Sequence, residues 1–180
     1  RGLGELRSAS DDNGSDWPRY FGDYASAMTG FLTGATLTGG RARDISRAVD
    51  LLAARPEVDS SRIYGAAREG AGVAMLHAAA LDSRLQRVAL EQTLESYQSV
   101  AEHRLHRGIF EHIVPGALRH YDLPGLARMM GSRPLVVVDA TDPMGMPAPL
   151  ARVAAAYPMA TVLRRQSGDT AATLYGLGAK

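Results

Sequence analysis

The chain has 180 residues, with 20 Lys+Arg against 19 Asp+Glu for a formal net charge of +1, 46% hydrophobic and 22% charged residues, and no cysteine. That length suits one domain with its own core, and the missing cysteine excludes a disulfide scaffold, a thiolate zinc site, an iron–sulfur cluster and a cysteine nucleophile. The near-neutral balance gives no electrostatic reason to expect nucleic acid or an anionic membrane as partner, and no apolar run approaches the ~20 residues of a spanning helix.

Residues 1–16 mix Gly, Ser, Asp and Asn without apolar periodicity and read as loop. From Trp17 to about Leu32 the aromatics Trp17, Tyr20, Phe21 and Tyr24 recur at helical spacing, as a packing stripe does. A second helix is predicted from about Gly40 to Ala54, with Ile45, Val49 and Leu52 on its apolar face and Arg41, Arg43, Asp44, Arg47 and Asp50 on the other. Arg62–Ala67 is a short strand candidate, and Gly70–Leu81 a nearly all-apolar helix that implies burial on most sides. Arg87–Leu90 reads as a buried strand. The region from Glu95 to Met130 is helical but irregular, broken at Pro115-Gly116 and Pro124-Gly125. Leu135–Asp139 is the clearest strand, a β-branched run without alternation that suits a parallel strand covered on both faces. Pro149–Ala156 is a helix, Ala160–Leu163 a last strand, and Thr170–Leu177 a closing helix. Strands alternating with helices, without hairpin signals between strands, predict an α/β fold. It is a single domain with a mostly parallel sheet of about four strands and helices on both faces.

Ligands of such sheets sit at the carboxyl ends of the strands. Three segments therefore matter: the turn at 65–72, the loop at 91–96 and the loop at 139–147. In the first, Gly65, Gly70 and Gly72 permit a sharp strand–helix turn. It is not a phosphate loop, because Ala71 follows Gly70 where Lys and a hydroxyl residue are needed. Nor is it a dinucleotide fingerprint, since Met75 stands where a third small residue belongs. It has the shape of a nucleophile elbow with Arg68 or Glu69 at the apex and no Ser, Cys or Thr; a glycine turn serving packing alone is the other reading. In the third segment, a carboxylate at Asp139 or Asp142 is placed to orient a histidine, and Asp before Pro143 equally forms a turn. Among the histidines, His77 lies in the buried helix and reads as a core residue. His103 and His106, at i and i+3, would share a helical face but lack a third ligand for a metal. His112 lies in the same irregular region, and His120 in a loop. No metal or other cofactor is indicated.

Several segments in order carry a resemblance: Arg62-Ile63-Tyr64-Gly65, Ala78-Ala79-Ala80-Leu81-Asp82, Leu94-Glu95-Ser96-Tyr97, Val114-Pro115-Gly116 through Asp122-Leu123-Pro124, and Ser132-Arg133-Pro134-Leu135. They resemble consecutive landmarks of the α/β-hydrolase-fold proteins related to acetyl xylan esterases and dienelactone hydrolases, and Arg1-Gly2-Leu3-Gly4-Glu5 is similar to a segment that follows an early core strand there. The resemblance implies a carboxylesterase of the acetyl-ester type, acting on a small acyl ester or an acetylated carbohydrate. It places the nucleophile position on Glu69, the acid on Asp142, which matches, and one oxyanion-hole donor on the Gly70 backbone N–H. The histidine position falls near Asp169-Thr170, which does not match. The resemblance thus implies a degenerate triad, or a non-catalytic binding or assembly protein on the same fold. It also implies that the first strands of the sheet would precede Arg1, leaving a sheet edge open to self-association.

Overall fold

The computed structural model describes residues 24–176. The predicted loop at 1–16, the Trp17–Phe21 part of the first helix and Leu177 lie outside the described residues. Helix α1 (Tyr24–Leu32) and helix α2 (Leu37–Ala53) come first. Helix α2 begins at Leu37 rather than Gly40 because Thr36 caps it, its hydroxyl accepting the Gly39 N–H at 3.0 Å. Then follow strand β1 (Ile63–Arg68), helix α3 (Gly70–Leu81), strand β2 (Leu85–Glu91) and helix α4 (Tyr97–Glu102). Helix α5 (Leu123–Met129), strand β3 (Leu135–Val138), helix α6 (Leu150–Ala156), strand β4 (Thr161–Leu163) and the single turn α7 (Ala171–Leu174) complete the order.

The strands form one sheet in the order β1-β2-β3-β4, every neighbouring pair parallel. This is the expected α/β fold, with the coverage of the two faces unequal. On one face Ile63, Leu90 and Val137 join Leu76 of α3, Leu123 of α5 and Val153 of α6 in the main core. When consecutive strands are laid down in one direction, crossovers of a single hand put every connecting helix on the same side. The opposite face holds a smaller cluster, Ala89, Val136 and Val138 under Leu174 and Tyr175 of the closing turn. On β1 that face presents Tyr64, Ala66 and Arg68, all exposed, with the Arg87 guanidinium 5.7 Å from the centre of the Tyr64 ring.

Three expectations need correction. Arg41, assigned to the polar face of its helix, is buried and ion-paired with Glu111 at 3.0 Å, while Leu52, assigned to the apolar face, is 40% exposed. Val49 is buried and Ile45 packs half-buried against the core as expected, and Thr38 and Ala42 complete the stripe. Pro124-Gly125 does not break a helix: Pro124 sits in the first turn of α5, where a missing N–H costs nothing, and Asp122 caps it. Finally, His103 and His106 lie beyond the end of α4 and do not share a helical face. Among the described residues, no helix is long and apolar enough to cross a membrane.

Candidate ligand site at the carboxyl edge of the sheet

The carboxyl edge is shaped by an unusual backbone. Glu69 (φ 50°), Gln92 (φ 51°) and Asp139 (φ 48°) each stand one residue beyond β1, β2 and β3, and they are the non-glycine residues of positive φ among those described. Each still donates its N–H to the next strand: Glu69 to the Glu91 carbonyl at 2.9 Å, Gln92 to Val138 at 2.9 Å and Asp139 to Leu163 at 3.1 Å. The parallel ladder therefore holds these residues in left-handed backbone that costs of order 1–3 kcal/mol each. They form a row along the edge.

Glu69 has φ 50° and ψ −130°, between the last residue of β1 and the first of α3, and its side chain makes no capping bond to the helix. This is the strand–turn–helix elbow expected from the sequence, with Glu69 at its apex and exposed. Two glycines let the helix start so abruptly. A Cβ on Gly72 would lie 1.9 Å from Thr93 Oγ1, and one on Gly70 would lie 2.8 Å from His112 Cε1.

In front of the elbow is a cavity of about 440 Å³ whose walls include Glu69, Gly70, Gln92, His112, Thr141 and Asp142. The two carboxylates named from the sequence thus face one space, from the ends of β1 and β3. Asp142 also does what the turn reading anticipated. Its Oδ1 accepts the N–H groups of Met144 (2.8 Å) and Met146 (2.9 Å). Its Oδ2 is 4.0 Å from His103 Nε2, while His103 Nδ1 lies 3.1 Å from the Ser99 carbonyl. A carbonyl only accepts, so Nδ1 carries the proton of that bond. Asp139, the other candidate acid, is turned away to Arg164 and the Arg165 N–H. His77 is the core residue expected, held between the Val73 carbonyl (2.7 Å) and the Tyr121 hydroxyl (3.0 Å). Burial lowers its pKa, which keeps the ring neutral.

Sequence reading gave no role to His112, yet it is the imidazole set beside the elbow. Its carbonyl accepts from the Thr38 hydroxyl at 2.9 Å and the Tyr97 hydroxyl at 2.8 Å. Part of the residue is reached by solvent, but Nδ1 is buried against the Gly70 backbone. Burial pushes the ring's pKa down to about 4, the positive charge of Arg41 adds to this, and the nearby Gly70 backbone opposes it in part. At neutral pH the site therefore combines an uncharged imidazole with the carboxyl groups of Glu69 and Asp142.

Near this wall, buried Glu95 is forked by the Arg152 guanidinium, with Nε at 2.9 Å. Desolvation nevertheless raises its pKa. Among the described residues no group of three or more His, Asp or Glu is arranged to hold a metal ion. His106 Nε2 faces the Val100 carbonyl at 2.8 Å, and His120 lies exposed just past a short turn. No hydroxyl stands at the apex of the elbow, so what the described residues offer there is carboxylates, a neutral ring and backbone N–H groups.

No family model and no curated protein matches the chain. Among solved structures the chain is similar to an acetyl xylan esterase from Paenibacillus sp. R4, with 24% identity, 69% of this chain and 45% of that chain covered, and a TM-score of 0.45. The matched part thus spans less than half of that protein's length.

Proposed function

We propose that the chain is an α/β-hydrolase-type domain of the carboxylesterase, acetyl-ester class with a degenerate triad. Its cavity binds a small acyl ester or an acetylated carbohydrate without serine chemistry. The observation that carries this reading is Glu69, held at φ 50° and ψ −130° at a strand–helix elbow over the cavity shared with Gly70 and Asp142. An elbow of this shape is built to expose one side chain at the top of the sheet, next to the backbone N–H of the following residue. With a hydroxyl there, the geometry serves acyl transfer. With a carboxylate, the same geometry positions an acceptor beside the ligand. Loss of a triad nucleophile alone costs several orders of magnitude in rate, so what remains is binding.

The test pairs two measurements on the purified chain. Calorimetric titration with β-xylose tetraacetate is expected to show saturable binding that Glu69→Ala weakens. Hydrolysis of p-nitrophenyl acetate is expected to stay at the buffer rate. Wild-type turnover abolished by both Glu69→Ala and Asp142→Ala would replace this reading with carboxylate catalysis, in which Glu69 or Asp142 acts as base or nucleophile. Absence of both binding and turnover would remove the ester site altogether.

A further inference from the structure

We propose that His112 is a ligand-contacting residue of this cavity and sets its preference for uncharged, oxygen-rich ligands; the inference rests on the functional reading above. Three observations converge on it. First, His112 shares the cavity wall with Glu69 and Gly70, and the glycine at position 70 is what leaves room for the ring, since any side chain there would strike Cε1 at 2.8 Å. Second, the residue's backbone is fixed from behind by elements remote in sequence: Thr38 of α2 and Tyr97 of α4 both donate hydroxyl bonds to its carbonyl, so the point from which the ring enters the cavity wall is anchored. Third, its electrical surroundings keep it uncharged. Arg41 of α2 is buried close by and paired with the adjacent Glu111, and placing an imidazolium next to a buried guanidinium is unfavourable.

The charged groups around the ring are Arg41 from α2 and Glu111 from its own segment, with Glu69 from the elbow, Arg107 and Asp142 on the wall of the same cavity. A neutral imidazole has one N–H and one lone pair. Nδ1 is buried against Gly70, so Nε2 is the nitrogen left for the ligand; carrying the proton it donates to an ester carbonyl, and it gives no ion pair to an anion. The cavity wall carries two carboxyl groups, Glu69 and Asp142, against one guanidinium, Arg107, and this balance further disfavours an anionic ligand.

The experiment is titration of wild type, His112→Ala and His112→Asn with β-xylose tetraacetate, with xylose uronate as the anionic comparison. Nitrogen-15 spectra of the histidine rings are recorded alongside. Expected are a loss of affinity of about tenfold in His112→Ala, the size of one hydrogen bond, partial recovery in His112→Asn and a ligand-induced shift of one ring signal in wild type. Affinity should stay level from pH 8 to about 5 and fall below that as the ring protonates. Equal affinity in wild type and His112→Ala overturns the assignment and leaves the ester-binding reading standing. Should the alanine variant fail to fold, an unshifted His112 ring signal at saturating ligand overturns it equally. Tighter binding of the uronate overturns the stated preference. A wild type that binds nothing overturns the functional reading first, and this one with it.

Discussion

At Glu69, backbone and side chain are set against each other. The left-handed backbone would suit glycine, which relieves strain of order 1–3 kcal/mol at the price of about 0.5–1 kcal/mol in chain entropy. Glu69→Gly is therefore expected to raise the urea midpoint, by about 1 kcal/mol in stability, while weakening ligand binding. A midpoint that drops would show that the Glu69 side chain itself contributes to folding. Asp142 offers the complementary separation. Its Oδ1 satisfies two loop N–H groups, so Asp142→Ala is expected to cost about 1–2 kcal/mol, while Asp142→Asn keeps an oxygen for the same bonds and stays near wild type. Denaturant melts of the pair check this, and equal losses in both variants would mean that the loop N–H groups are not what Asp142 stabilises.

At the level of elements, the contact between α3 and the loop that follows β2 is decided at Gly72. An alanine there drives its methyl into Thr93 Oγ1 at 1.9 Å and Thr93 Cβ at 2.8 Å. Overpacking of this kind costs about 1–3 kcal/mol or more, and Gly72→Ala should lower the thermal midpoint by several degrees, partly restored in combination with Thr93→Gly. An unchanged midpoint would mean the helix slides without cost. The same elements show what the sequence made legible. Strand β3, helix α3 and the elbow were readable because their signals are local: a β-branched run, an apolar stretch, glycines at the joint. That Glu69 and Asp142 line one cavity accords with the rule that parallel sheets place ligands at strand ends; strand ends alone left Arg68 and Asp139 open beside them, and the resemblance made the choice. Arg41 and His112 were not readable. A helical-wheel pattern sends an arginine outward, and the Glu111 that pairs with it is delivered by a distant segment. His112 owes its position to a hydroxyl 74 residues away, across a region with no periodicity to read.

Across the whole molecule, the second face of the sheet is covered over β2 and β3 by a charged clasp. Glu91, 2% exposed, takes the Arg165 guanidinium at 2.8 Å and 3.1 Å, the Tyr175 hydroxyl, and Arg68 at 3.5 Å. Burial pushes its pKa up, but the bonds from Tyr175 and Arg165 and the charge of Arg68 outweigh it and hold the carboxyl below its ordinary range. A carboxyl whose folded pKa is depressed contributes stability above its unfolded value and loses it as pH falls through the folded one. Glu91→Gln should thus cost about 1–3 kcal/mol at pH 7, since the charge-assisted bonds from Arg165 and Tyr175 are weakened while Arg165 and Arg68 remain open to solvent. That gap should close as the wild type is acidified below about pH 4, where the unfolded carboxyl protonates. Unfolding curves from pH 7 to pH 3 on both proteins measure it, and a gap independent of pH would mean the loss is one of packing.

The unbroken strand order has a consequence for how the fold is made. Because β2 pairs with β1, β3 with β2 and β4 with β3, each strand finds its partner already synthesised and adjacent. The sheet can grow in the direction of translation, one crossover at a time, without holding an early strand in reserve for a late one. The clasp on Glu91 comes last, since Arg165 and Tyr175 follow all four strands, so the second face over β2 and β3 is covered only when the end of the described chain arrives.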